Sequence, residues 1–122
     1  MAHSPESILE QLKKREFAPV YFLQGDEAYY IDLISDYIEH HALQEHEIGF
    51  NQVVIYGKDV DVATILLQAK RFPMMADRSV VIVKEAQTIL DIDKEDGVKQ
   101  LEAYLQNPLP STILVLGYKH KT

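Results

Sequence analysis

Four short runs of continuous apolar residues restrict the fold of this chain more than any other feature. They are Val20–Leu23, Val53–Tyr56, Val80–Val83 and Ile113–Leu116. A strand with one face in water alternates apolar and polar residues, whereas a strand covered on both faces is apolar throughout. Each run therefore predicts a strand with helices packed on both of its faces.

Helical patterns fill the intervals between these runs. We predict a first helix from about Ser4 to Glu16, with Ser4 as its N-cap, and a second from Glu27 to about His41. A third helix begins at Asp59 or Asp61, and a fourth stops at Asn107. Strands that alternate with helices predict an α/β fold of three layers, αβα, with a mainly parallel sheet.

The length and composition fit one domain that spans residues 1–122. The chain has no internal repeat, no low-complexity tract and no Gly/Ser linker. It carries 12 Lys and Arg against 19 Asp and Glu, a formal net charge of −7. Because such a surface repels phosphate backbones on average, we expect any contact with DNA to be indirect.

Several functional classes are excluded or disfavoured by residue type. The chain has no Cys, which removes disulfides, thiolate zinc sites and cysteine nucleophiles. We predict no metal site, because the run from Asp91 to Glu102 lacks the Gly that a calcium loop needs at its sixth position. No apolar stretch is long enough to cross a membrane and no secretory signal is evident, so we expect a cytoplasmic protein.

The turn after the first apolar run is the first place to look for a nucleotide site, and here it contains Gly25, Asp26 and Glu27. A phosphate-binding loop needs a second Gly five residues after the first, followed by Lys and Ser or Thr. Residues 30–32 are Tyr, Ile and Asp instead. Two carboxylates at a helix start also repel phosphate, so we predict a degenerate nucleotide loop that binds no cofactor.

The third apolar run leads to the same interpretation. Nucleotide hydrolases place acidic residues at the end of such a strand to hold Mg²⁺, and this chain has Lys84 followed by Glu85.

We keep two alternatives: a nucleotide-hydrolysing domain completed by other chains, and a phospho-receiver domain. The receiver needs an Asp at the end of a central strand, whereas Asp59 lies three residues past its run. We identify no catalytic residue.

A short segment between the third helix and the third run carries unusually large apolar side chains. Its central residues are Phe72, Pro73, Met74 and Met75. Loops normally cross the surface, where such side chains form a patch that attracts a partner. The residues alone leave two alternatives equally open: the segment packs back over the end of the sheet, or it projects toward another protein.

The order and spacing of three segments resemble the delta subunit family of bacterial DNA polymerase III. The segments are Pro19–Glu27, Pro73–Val83 and Leu101–Leu116. The resemblance covers nearly the whole chain and implies the N-terminal domain of a longer protein, with helical lid and collar domains elsewhere. It also implies an AAA+-like (P-loop-like) fold that has lost ATP binding.

The resemblance further implies a function and a set of partners. Members of the family bind the beta sliding clamp and open its ring for loading onto primed DNA during DNA replication. Their other partners are the delta prime and gamma/tau subunits of the clamp loader, within the DNA-directed DNA polymerase (nucleotidyltransferase) holoenzyme. A pair of apolar residues before an Arg enters the clamp, and here that pair is Met74 and Met75, next to Phe72 and Pro73. The domain itself is expected to have no catalytic activity and no membrane contact.

Overall fold

The computed structural model describes residues 5–25 and 28–119. Within these ranges four strands form one sheet, in the order β1-β4-β3-β2. All three pairs of neighbouring strands are parallel. The strands are β1 (Val20–Gly25), β2 (Gln52–Tyr56), β3 (Ser79–Lys84) and β4 (Thr112–Lys119). The predicted mainly parallel sheet is confirmed.

Helices occupy the connections between the strands. They are α1 (Pro5–Lys13), α2 (Ala28–His41), α3 (Glu45–Asn51), α4 (Val62–Ala69) and α5 (Glu95–Gln106). Short 3₁₀ turns follow β2 and β3, at Gly57–Asp59 and Ala86–Thr88. None of the helices in the described ranges is long and apolar enough to cross a membrane.

The two central strands are buried on both faces, as their continuous apolar sequences predict. In β3, Ile82 faces a core formed with α1 and α2, whereas Val83 faces a second core formed with α4 and α5. In β4, Val115 and Leu116 divide between the same two cores. Because successive side chains of a strand point to opposite faces, a three-layer sandwich requires apolar residues at every position.

The outer strands depart from this pattern. The sequence predicts that Val20–Leu23 is covered on both faces, but β1 lies at one edge of the described sheet and Phe22 is 43% exposed. Tyr56 on the opposite edge strand is also exposed. A continuous apolar run therefore identified these segments as strands but could not distinguish an edge position from a central one.

Helix α1 ends earlier than Glu16, for a local reason. Arg15 adopts a left-handed backbone conformation with φ 60°, and the Glu16 amide donates to the Gln11 carbonyl at 2.9 Å. This is the hydrogen-bond pattern of a helix end that usually carries glycine. The Arg15 guanidinium donates to the carbonyl oxygens of His41 and Ala42 at 3.0 and 3.1 Å, and so caps α2. The predicted N-cap Ser4 lies outside the described residues.

Two further helix boundaries follow from side-chain hydrogen bonds. Of the two predicted caps of α4, Asp61 takes that position, because its carboxylate accepts from the Thr64 amide at 2.9 Å and from the Thr64 hydroxyl at 2.6 Å. These bonds lower the pKa of Asp61. Helix α3 was not predicted. It has only seven residues, and its start is stabilised by the Gln44 amide, which donates to the Glu47 carboxylate at 2.9 Å.

We predict that Ile82→Ala lowers the free energy of unfolding by about 2–5 kcal/mol, because it leaves a cavity in a fully buried central strand. The exposed Leu67 of α4 is the matched control, and Leu67→Ala should change stability by no more than about 0.5 kcal/mol. Urea denaturation of the purified variants measures both changes. Equal effects of the two substitutions would contradict the assigned core.

Candidate functional site

The loop between α4 and β3, residues 70–78, lies at the edge of the sheet where the strands begin. Phe72 is 73% exposed, Met74 55% and Met75 99%, while Pro73 is half-buried. The side chains of Phe72, Met74 and Met75 therefore do not pack over the end of the sheet. The structure decides between the two alternatives for their placement and favours projection into solvent.

A second aromatic residue, which the sequence analysis missed, lies at the same edge. Phe50 near the end of α3 is 72% exposed. Phe50 and Phe72 both line a small crevice of about 40 Å³ that reaches down to Val80 at the start of β3. Because α3 was not predicted, nothing in the sequence placed Phe50 next to the loop. The exposed apolar surface of this edge thus comes from two separate segments.

Hydrogen bonds fix the base of the loop on both sides. The buried Thr112 hydroxyl at the start of β4 donates to the carbonyl of Ala69, the last residue of α4, at 2.7 Å. At the other end of the loop, the Ser79 amide donates to the Ser111 carbonyl at 2.9 Å. The Ser79 hydroxyl lies 3.4 Å from the Arg71 carbonyl. The residues that flank the loop, Ala69 and Ser79, are therefore both hydrogen-bonded to the segment at the start of β4, through Thr112 and Ser111.

The last loop residue, Arg78, extends this attachment to another part of the domain. Its guanidinium lies 4.9 Å from the centre of the Phe17 ring, and the Arg15 guanidinium lies 5.2 Å from the same ring. Cations at such distances from an aromatic face are attracted by the ring. The Phe17 ring thus links the loop to the residue that caps α2.

The middle of the loop is held by the side chain of Asn51. The Asn51 Oδ1 atom accepts from the Met74 amide at 2.6 Å, and Nδ2 donates to the Met74 carbonyl at 2.9 Å. The same Nδ2 donates to the Glu47 carbonyl at 3.1 Å. Both backbone groups of Met74 are therefore paired with one side chain from α3, although the loop has no regular secondary structure.

The opposite edge of the sheet, where the strands end, carries the residues predicted to form a degenerate nucleotide loop. Gly25 is the last residue of β1, and Lys84 is the last residue of β3, with Glu85 directly after it. Asp26 and Glu27 lie outside the described residues. Lys84, Glu85 and Lys119 line an open cleft of about 320 Å³ beside α2.

Two lysines in this cleft lie close to carboxylates. Lys119 Nζ lies 3.1 Å from Asp32 Oδ1 and 3.0 Å from Glu85 Oε2. Lys84 Nζ lies 3.6 Å from Glu39 Oε1 and 4.0 Å from an oxygen of Asp36. The hydrogen bond to Glu85, with a smaller contribution from Asp32, raises the pKa of Lys119. Lys84 and Lys119 therefore both have anionic partners within the chain.

The position of Glu85 depends on Gly57. Glu85 adopts a left-handed conformation with φ 56°, and its carbonyl oxygen approaches Gly57 so closely that a Cβ atom there would collide with it. The Glu85 carbonyl also accepts from the Thr88 hydroxyl at 2.6 Å. Gly57 thus allows the turn after β3 to pack against the turn after β2, with the Glu85 carboxylate next to Lys119.

Comparison with known proteins identifies the family. The family described as DNA polymerase III, delta subunit, matches residues 21–122. The chain belongs to the DNA polymerase III delta-subunit family. It is 32% identical over 113 residues to the DNA polymerase III subunit delta of Bacillus subtilis strain 168. The matched region covers 89% of this chain and 33% of that relative.

A solved structure of a delta-family protein supports the same assignment at the level of the fold. The chain superimposes on the Bacillus subtilis DNA clamp loader delta protein with a TM-score of 0.80 and 28% identity. The match covers 97% of this chain and 36% of that chain. The chain therefore spans about a third of the length of the delta proteins that it matches.

In this delta-family chain we predict that Lys119→Met lowers the free energy of unfolding by roughly 1 kcal/mol, because it leaves Asp32 and Glu85 without their shared cation. Lys99→Met is the matched control, since Lys99 pairs with Glu95 on an exposed helix surface. That change should be within about 0.5 kcal/mol of zero. Urea titrations at low and high salt measure both. Equal losses would show that the cleft ion pairs add nothing beyond an ordinary surface pair.

Proposed function

We propose that this chain is the clamp-binding domain of a clamp-loader delta subunit, and that it binds the beta sliding clamp and opens its ring during DNA replication. The observation that carries the proposal is the exposure of Phe72, Met74 and Met75 on a loop anchored at both ends, in a member of the delta-subunit family. Pro73 lies among them. These four residues form the proposed clamp-binding loop.

The physical properties of the loop suit this function. Burial of each Met side chain in an apolar groove contributes up to about 1.5–3 kcal/mol before the cost of ordering is subtracted. Methionine is flexible and polarizable, so it adapts to an irregular groove. Opening a ring requires stronger binding to the open state than to the closed state. Side chains that enter a groove accessible only in the open ring provide that difference.

We expect the double substitution Met74→Ala with Met75→Ala to weaken binding to the sliding clamp of the same organism at least about tenfold, because most of the apolar area of the loop is lost. The matched control is Leu90→Ala, which removes an exposed apolar side chain after β3, on the opposite edge. Isothermal titration or surface plasmon resonance measures both affinities. Unchanged clamp binding by the double variant would show that these two residues are not the contact.

The proposed domain needs no nucleotide of its own. The strand order β1-β4-β3-β2 is consistent with an AAA+-like core, as the family resemblance implies. At the edge where a nucleotide would bind, Lys84 and Lys119 are engaged with carboxylates. Among the described residues, four carboxylates lie within 4.0 Å of these two lysines, at positions 32, 36, 39 and 85. A triphosphate would meet net negative charge there, which supports a degenerate nucleotide site.

This arrangement also disfavours the phospho-receiver alternative. The central strands of the described sheet are β3 and β4, and they end in Lys84 and Lys119 rather than in Asp. Asp59 belongs to the 3₁₀ turn after the edge strand β2. A receiver needs an Asp at the end of a central strand, and both central strands of the described sheet have a Lys there instead.

We expect Mg²⁺-ATP at millimolar concentration to leave the melting temperature of the protein unchanged. A ligand present at 100 times its Kd stabilises the state that binds it by about 2.7 kcal/mol, so even weak specific binding would be visible in a thermal melt. Mg²⁺ with an acyl phosphate is the parallel test of the receiver alternative. A rise in melting temperature with Mg²⁺-ATP would overturn the degenerate nucleotide site, and a rise with the acyl phosphate would revive the receiver alternative.

The remaining parts of the proposal concern the larger assembly. We propose that residues 1–122 form one domain of a longer delta protein whose helical lid and collar domains lie elsewhere in its chain. Its further partners would be the delta prime and gamma/tau subunits of the polymerase holoenzyme, and the domain itself would catalyse no reaction. With a formal charge of −7, it would meet DNA only through the rest of the complex, in the cytoplasm.

A further inference from the structure

The clamp-binding loop is ordered by one side chain from a different element. Asn51, the last residue of α3, is 6% exposed, whereas the residue that it holds, Met74, is more than half exposed. An exposed loop without regular secondary structure normally samples many backbone conformations. A buried polar side chain that reaches into such a loop is a specific constraint on it.

The side-chain amide of Asn51 bonds to the Met74 backbone both as an acceptor and as a donor. Oδ1 accepts from the Met74 amide and Nδ2 donates to the Met74 carbonyl, at 2.6 and 2.9 Å. The second Nδ2 proton is used by the Glu47 carbonyl, within the helix that carries Asn51. Two simultaneous bonds to one residue restrict both dihedral angles of Met74, since rotation about either would break one of them.

Met75, the residue after Met74, has an unusual backbone conformation and an exposed side chain. Met75 has φ 56°, a conformation that non-glycine residues rarely adopt, and its side chain is 99% exposed. Pro73, on the other side of Met74, has its own φ fixed by its ring. The Met75 side chain thus extends into solvent from a backbone that is already restrained at Met74 in the free protein.

We propose that Asn51 is a positioning residue for the sliding-clamp contact: it holds Met74 and Met75 in the geometry that binds, and so reduces the ordering cost of binding. This inference rests on the proposed function. Asn51 touches the loop backbone and contributes through Met74, not by contact with the clamp. Preorganisation of this kind strengthens an interface without adding a contact to it.

The test measures clamp affinity for Asn51→Ala in two backgrounds, the wild-type protein and the variant that carries both Met74→Ala and Met75→Ala. In the wild-type background we expect binding to weaken about tenfold, because the loop must then be ordered on binding. In the double-alanine background the same substitution should have little further effect, because the side chains that Asn51 positions are absent. A role confined to overall stability would lower affinity equally in both backgrounds, and that result would overturn the proposal.

Two additional variants control for folding. Gln52→Ala removes one side-chain bond to a backbone carbonyl from the neighbouring residue, whose Nε2 donates to the Glu39 carbonyl at 2.9 Å and makes no bond to the loop. It should leave clamp binding within twofold of wild type. Asn51→Asp keeps the shape and the acceptor for the Met74 amide but places a carboxylate against two carbonyl oxygens. We expect it to weaken binding as Asn51→Ala does, while circular dichroism shows a folded protein.

Hydrogen exchange gives a readout that does not involve the clamp. The Met74 amide should exchange slowly in the wild-type protein and rapidly in Asn51→Ala, with core amides such as that of Ile82 unchanged. If wild type binds the clamp and the double-methionine variant does not, full affinity in Asn51→Ala would overturn only the role of Asn51. If wild type does not bind the clamp, the proposed function fails, and this role fails with it.

Discussion

The burial of β3 and β4 on both faces is the constraint on which the rest of the structure depends. Neither strand can tolerate water on either side, so helices must cover both faces, and each connection between strands must be long enough to carry one. Helices α1 and α2 cover one face, while α4 and α5 cover the other. The parallel direction of the strands then brings all strand starts to one edge and all strand ends to the opposite edge. The candidate site residues described above lie at those two edges.

The two edges differ, although exposed apolar side chains occur at both, such as Leu90 at the edge of strand ends. At the edge of strand starts, large apolar side chains of two segments, among them Phe50 and Met75, face solvent around a loop whose backbone is firmly attached. At the edge of strand ends, cations and carboxylates are paired within the chain, and Lys119 links α2 to the turn after β3. In a working nucleotide-binding domain the second edge would carry the chemistry. In this delta-family chain the proposed clamp-binding loop lies at the first.

The strands could be predicted because each is marked by a local run of apolar residues, but the sequence did not show that β1 and β2 lie at the edges of the described sheet. The end of α1 could not be predicted, because it depends on Arg15, whose side chain reaches carbonyl groups 26 and 27 residues away. The loop at Phe72–Met75 was recognisable from its residue types, but its exposure was not, since the same side chains could have covered the sheet. Asn51 and Phe50 escaped prediction for a different reason. They are brought to the loop by α3, a helix too short to leave a periodic apolar pattern in the sequence.

The Phe17 ring, placed between the guanidinium groups of Arg15 and Arg78, has a mechanical consequence. Arg78 is the residue through which the exposed loop joins β3, while Arg15 is hydrogen-bonded to the end of α2. A load applied to the loop tip would therefore spread into a helix on one face of the sheet as well as into the strand that follows. The proposed ring opening would place such a load on the loop, and the contacts of Phe17 with both arginines would then limit how far the loop yields.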